Sequence, residues 1–175
     1  MTELTNKQLD VFSLPKIEDL VFQPLEPKYK TVLIIGRVIF LVISAIACGL
    51  FIYSAPFDIP ERLLYLSIGI YLLYLLWSFI VTIKGFEHKS YALREKDIIY
   101  KSGWLWRYVT TAPFNRVQHV RIDQGPVERK FNLAKLRIFT AGGTSSDLTI
   151  PGLTPDTANE LKDFIVKKTL ADEEE

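Results

Sequence analysis

The chain is poor in cysteine. Cys48 is the only one in 175 residues, which excludes a disulfide framework and any zinc site built on cysteines. Histidine is nearly as scarce, and His88 and His119 leave little from which to assemble a metal cluster. There is no Gly-x-Ser-x-Gly elbow, no Walker A loop and no His-Glu-x-x-His pair. The stretch AGGTSS, residues 141–146, is glycine-rich, but no lysine follows it in phosphate-loop register. Charge is missing from one region in particular. Residues 31–83 carry only Arg37, Asp58, Glu61 and Arg62, whereas residues 84–175 carry 15 Lys or Arg against 13 Asp or Glu. The first region reads as membrane and the second as a water-soluble unit.

Two apolar runs fill the charge-poor region, at about residues 32–53 and 63–83. A bilayer core needs roughly 20 apolar residues per helix, so both runs are predicted to be transmembrane helices. A chain of this length could not surround two such helices in a soluble core. The connection SAPFDIPER is short and holds two prolines, which predicts a tight hairpin. Lys16, Lys28 and Lys30 precede the first span; Lys84, Lys89, Arg94 and Lys96 follow the second; the connection has only Arg62. That bias places both termini in the cytoplasm of a multi-pass inner- or plasma-membrane protein. Arg37 lies about a turn inside the first span and is expected to snorkel to the interface. Thirty mostly polar residues precede the first span, without the layout of a cleaved signal peptide. Residues 1–30 are expected to form a cytoplasmic N-terminal arm, extended or built of short helical pieces, lying on the membrane or on the soluble domain.

From His88 the pattern becomes one of short strands ending in turn residues. HKSYALR leads through the turn EKD to IIYKSG, and WRYVTTAP, RVQHVRIDQ, LAKLRIFTA and SDLTIPG follow. Gly142 to Ser146 are expected to form a loop. GPVERKFN interrupts the strands, with Pro126 suited to the first turn of a short helix and Glu128 to its positive end. TPDTANELKDFIVKKT predicts a C-terminal helix with Thr154 as N-cap and Pro155 at its first position. Ala158, Leu161 and Ile165 share its inner face. Residues 171–175 are expected to be a solvated acidic tail.

The words P-x-x-R-V-Q-H-V (Pro113–Val120), Q-G-P-V-E-R-x-F-x-L (Gln124–Leu133), T-A-G-G (Thr140–Gly143) and I-P-G-L (Ile150–Leu153) occur in order. With two spans before them, they make residues 25–170 resemble the bacterial pleckstrin-homology-like (PH-like) domain of the YdbS-type membrane proteins. The resemblance implies a membrane-anchored α+β protein. Its transmembrane hairpin leads into a PH-like domain at residues 86–170, seven antiparallel strands in a strongly bent barrel capped by the C-terminal helix. It implies a bacterial membrane location and a non-enzymatic module, with a multi-domain relative as a plausible partner type. The first 24 residues lie outside it.

No catalytic, cofactor or metal residue is assigned. His119 and Asp123 are four apart on a predicted strand, roughly 13 Å between Cα atoms, too far for a simple base and its orienting partner. His119 reads best as a packed sheet residue. The basic residues are a stronger signal: residues 101–140 hold eight Lys or Arg against Asp123 and Glu128. Arg107, Arg116, Arg121, Arg129, Lys130, Lys135 and Arg137 are candidates for an anionic-lipid or partner surface. Each cation near a negative leaflet contributes about 1 kcal/mol. Ordinary outer-face charge is the plain alternative, since spacing does not show clustering. Trp104 and Trp106 flank Leu105 at period two, so on a strand both would share a face, in the core or among headgroups. Nucleic acid is not indicated, because stacking aromatics are few. Two functions remain open: self-assembly or binding of another membrane protein, and binding of anionic phospholipid.

Overall fold

The computed structural model describes residues 20–54, 60–141 and 148–173. The expected arm before residue 20, most of the hairpin connection and the glycine pair Gly142-Gly143 lie outside them. Two long helices, α1 (Lys28–Tyr53) and α2 (Glu61–Glu87), form the hairpin. Both are long and apolar enough to cross a membrane, and almost all of their apolar surface faces outward. Polar pairs hold the helices side by side. The Arg37 Nε donates to Thr82 Oγ1 at 3.2 Å, and the Tyr71 hydroxyl donates to the Leu41 carbonyl at 2.7 Å. Arg37 thus bonds α2 two residues before Lys84, the first charge after the second apolar run.

The β unit contains β1 (Gln23–Pro24), β2 (Ser90–Leu93), β3 (Asp97–Ser102), β4 (Tyr108–Pro113), β5 (Val117–Asp123), β6 (Ala134–Thr140) and β7 (Leu148–Leu153). It includes a short helix α3 (Pro126–Lys130) and ends in α4 (Pro155–Glu173). Two antiparallel sheets, β1-β2-β3-β4 and β5-β6-β7, enclose one core. The bent barrel is open: among the described residues β7 lies against β3 and β4 without a ladder between the sheets. Not all seven strands come from the chain after the hairpin. Gln23–Pro24, read as part of the N-terminal arm, pairs with Ser90 and Tyr91 and supplies the first strand. The last residues also differ from expectation, since α4 continues to Glu173 rather than giving way to a tail at residue 171.

The core lies between the sheets and under α4. Ile98, Phe114, Leu136, Ile138, Ile150, Ala158 and Ile165 are fully buried. Burying one large aliphatic side chain contributes about 2 kcal/mol. The expected inner face of α4 is the observed one. Thr154 caps this helix, its hydroxyl accepting from the Thr157 N–H at 3.1 Å. The core does not stop at the domain. Leu25, Tyr29, Val32 and Leu33 from the first helix and its approach, with Phe86 from the second, belong to the same cluster. Helix hairpin and β unit thus share one hydrophobic core.

Candidate functional site

Strand order gives the β unit two poles. β2 leaves α2 at Ser90, opposite Lys101, so the Ser102–Tyr108 end of β3 and β4 lies near the helices and the Asp97–Pro113 end lies away from them. By the same pairing, Leu153, Ala134 and Asp123 are at the near pole, and Val117 and Thr140 at the far pole.

At the near pole two motif words have local structural explanations. In QGPVERKFNL, Gly125 is the N-cap of α3 and its N–H donates to Glu128 Oε2 at 2.7 Å. Pro126 takes the first position, where its missing N–H costs nothing. Asn132 has φ 54, and Leu133 N–H reaches the Glu128 carbonyl at 2.9 Å while Asn132 N–H reaches Arg129 at 3.2 Å. This is a Schellman ending with asparagine in the left-handed position. In IPGL, Gly152 has φ +64, and a Cβ there would stand 2.5 Å from Tyr29 Cγ. Tyr29 can lie on the backbone only because that residue is glycine. The Glu26 N–H to Gly152 carbonyl bond, 2.9 Å, closes the same junction.

Titratable groups record how dry the junction is. Burial, then the nearby Tyr29, holds the Tyr100 hydroxyl well above the ordinary tyrosine range. Burial, then Glu26 and Glu160, raises Tyr91. Burial alone lowers Lys89, whose ammonium lies 5.4 Å from the centre of the Tyr29 ring.

The seven basic candidates are divided along the domain. Arg121 and Arg137 face each other across β5 and β6, and each places its Nε 2.9 Å from the Asp123 carboxylate. The Arg137 N–H is not aligned as a hydrogen bond, so that contact is Coulombic. Lys135 pairs with the buried Glu128 at 3.1 Å. Arg129 and Lys130 are exposed on α3, which packs against α1, and Arg107 is exposed in the β3–β4 loop at the same pole. Arg116 is exposed at the far pole. His119 is not buried: its ring stacks on Phe139 with centroids 4.1 Å apart, while Asp123 serves Arg121 and Arg137.

Trp104 and Trp106 do not lie on a strand. Gly103, at φ +95, turns the chain into a five-residue loop between Ser102 and Tyr108, and a Cβ at Gly103 would strike the Trp106 carbonyl at 1.7 Å. The two rings separate. Trp104 is half-buried against Trp77 of α2, centroids 6.4 Å apart, while Trp106 is exposed.

The far pole holds a groove that charge and spacing did not indicate. It measures about 640 Å³ and lies between β5 and α4. One wall is the consecutive run Arg116–Val120, most of the word PxxRVQHV; the other is Val166, Thr169 and Leu170. β5 is the outer strand of its sheet, so this wall is a free backbone edge among the described residues. A bulge at Gln118 breaks its register: Val117 opposes Thr140, and His119 already opposes Phe139. The bulge keeps Val117 in the core while turning His119 and Arg121 outward. The signal legible in the sequence was the motif word itself; its position beside α4 was not.

A family model described as the bacterial PH domain matches residues 30–169. The UPF0699 transmembrane protein YdbS of Bacillus subtilis (strain 168) is 31% identical over 137 residues, covering 76% of this chain and 80% of that protein. No solved structure matches.

Proposed function

The chain belongs to the bacterial PH domain family, and from that premise we propose that it is a non-enzymatic, membrane-anchored interaction module with both termini in the cytoplasm. Its groove between β5 and α4 receives an extended segment of another membrane protein or of a second copy. The observation that carries this reading is the free edge of β5 facing α4 across an open groove. An unpaired edge offers a row of backbone donors and acceptors, and a segment laid along it gains a ladder. Val166 and Leu170, both exposed, offer apolar contacts to alternate side chains of such a segment. Arg116 and His119 form the polar rim. The test uses the full-length protein with a photocrosslinking residue at Gln118, extracted in mild detergent. A stoichiometric crosslink from Gln118, and none from the exposed Asn159, is the expected result. A monomer by mass with no crosslink from Gln118 would remove this reading.

A second reading has its own support. α3 packs against α1 and carries Arg129 and Lys130 on the helix side of the domain, where Arg107 also lies. These three cations form no ion pair among the described residues and suit anionic phospholipid. Replacing all three by Gln should lower the anionic lipid retained by the purified full-length protein, and high salt should do the same to the parent. Unchanged retention would dismiss it.

A further inference from the structure

The loop between β3 and β4 is unusually apolar for a surface turn. Leu105 is 57% exposed, Trp106 76%, Tyr108 62% and Val109 44%. Tyr108 and Val109 are neighbours on a strand, so their side chains point to opposite faces. Both are exposed, and therefore neither face of the sheet is covered by protein at this end. The loop is a built feature rather than a slack one, since Gly103 folds the Trp106 carbonyl back over itself.

Its position gives this surface an occupant. Trp104, in the same loop, packs its ring against Trp77 of α2. Trp77 stands seven residues before Lys84, the first charge after the second apolar run. Seven helical residues correspond to about 10 Å along the axis. With Lys84 at the headgroup level, Trp77 lies at or below the boundary of the hydrocarbon, in a bilayer whose apolar core is about 30 Å thick. A loop docked on Trp77 shares that depth.

We propose that the β3–β4 loop is a membrane wedge: Leu105, Trp106, Tyr108 and Val109 sit in the leaflet on the domain side, beside α2, in contact with phospholipid acyl chains and glycerol groups. The occupant is lipid because the patch is continuous with a helix face that is itself lipid-exposed. Tryptophan and tyrosine are the side chains that favour this layer. Arg107 has the length to return its guanidinium to lipid phosphates while its stem stays among apolar groups. The assignment is independent of the groove at the far pole, which it neither needs nor excludes.

Site-directed spin labelling of full-length protein in phosphatidylcholine–phosphatidylglycerol vesicles tests it. A Cys48→Ser background carries a nitroxide at Leu105→Cys or, as reference, at Gln118→Cys on the far pole. The expected result is that the ratio of oxygen to nickel-chelate collision rates at Leu105 exceeds that at Gln118 severalfold. A nickel-accessible label at Leu105 overturns the proposal. So does exclusion of both quenchers with dipolar broadening between labels, which would show a second copy covering the patch. An unlabelled measurement guards against disturbance by the probe. With Trp77 and Trp104 replaced by Phe, the fluorescence of Trp106 alone should be quenched by brominated phosphatidylcholine; absence of quenching overturns the wedge.

Discussion

The two poles of the β unit are built from the same short strands, yet they are finished differently. At the near pole the residues that shape the backbone are engaged. Gly152 receives Tyr29, Asn132 ends α3, Glu128 holds both the Gly125 N–H and Lys135, and Gly103 folds its loop. At the far pole the residues of PxxRVQHV line an open groove on a free strand edge. A pole whose residues are consumed by packing is there to hold the domain in place. A pole whose backbone is left open is available to something else.

The sharpest way to break this contrast is at the junction. Gly152→Ala should destabilise the protein by about 3 kcal/mol, combining left-handed strain with overpacking against Tyr29. Thermal unfolding in detergent reads this loss. In a Tyr29→Ala background the same substitution should cost only the backbone term, about 1 kcal/mol, and an undiminished cost would show that the ring contact is not the cause. Next in size is the N-cap of α4: Thr154→Ala should cost about 1 kcal/mol while Thr154→Ser retains stability. Asn132→Ala should cost a similar amount, about 1 kcal/mol, while Asn132→Gly is tolerated.

The far pole should behave in the opposite way. Val166→Arg with Leu170→Glu should change stability by less than about 0.5 kcal/mol, since both side chains are exposed, and should abolish crosslinking from Gln118. A large stability loss there would erase the distinction between the poles.

The smallest expected effect is alkaline. Tyr100 and Tyr91 have raised folded values, so they stay protonated in the folded chain above pH 10.0, the ordinary tyrosine value, where the unfolded chain ionises. Stability is therefore fully present below pH 10.0 and falls as pH rises through the folded values. Tyr100→Phe should flatten that decline in pH-dependent unfolding followed by tyrosinate absorbance.

Much of the architecture was legible because its signals are local. Apolar length marked both helices, and turn residues marked β2 to β7 with small errors at the ends. Thr154 and Pro155 marked the start of α4. What stayed hidden depends on distant partners. Gln23–Pro24 has two residues and a proline, and only its pairing with β2, across the whole hairpin, makes it a strand. Period two put Trp104 and Trp106 on one face, but a positive φ at Gly103 separates them. The basic residues announced charge without revealing that Asp123 and Glu128 hold three of them. The groove needed α4 to be placed beside β5, which no spacing within either element conveys.

The shared core at Tyr29 and Phe86 has a mechanical meaning. Only three residues separate β1 from α1, and two separate α2 from β2. There is no tether to absorb rotation between hairpin and domain, and the Trp77–Trp104 contact adds a second point of attachment. Hairpin and β unit are therefore one body, and the direction in which the far-pole groove opens is fixed by the direction of α1 and α2.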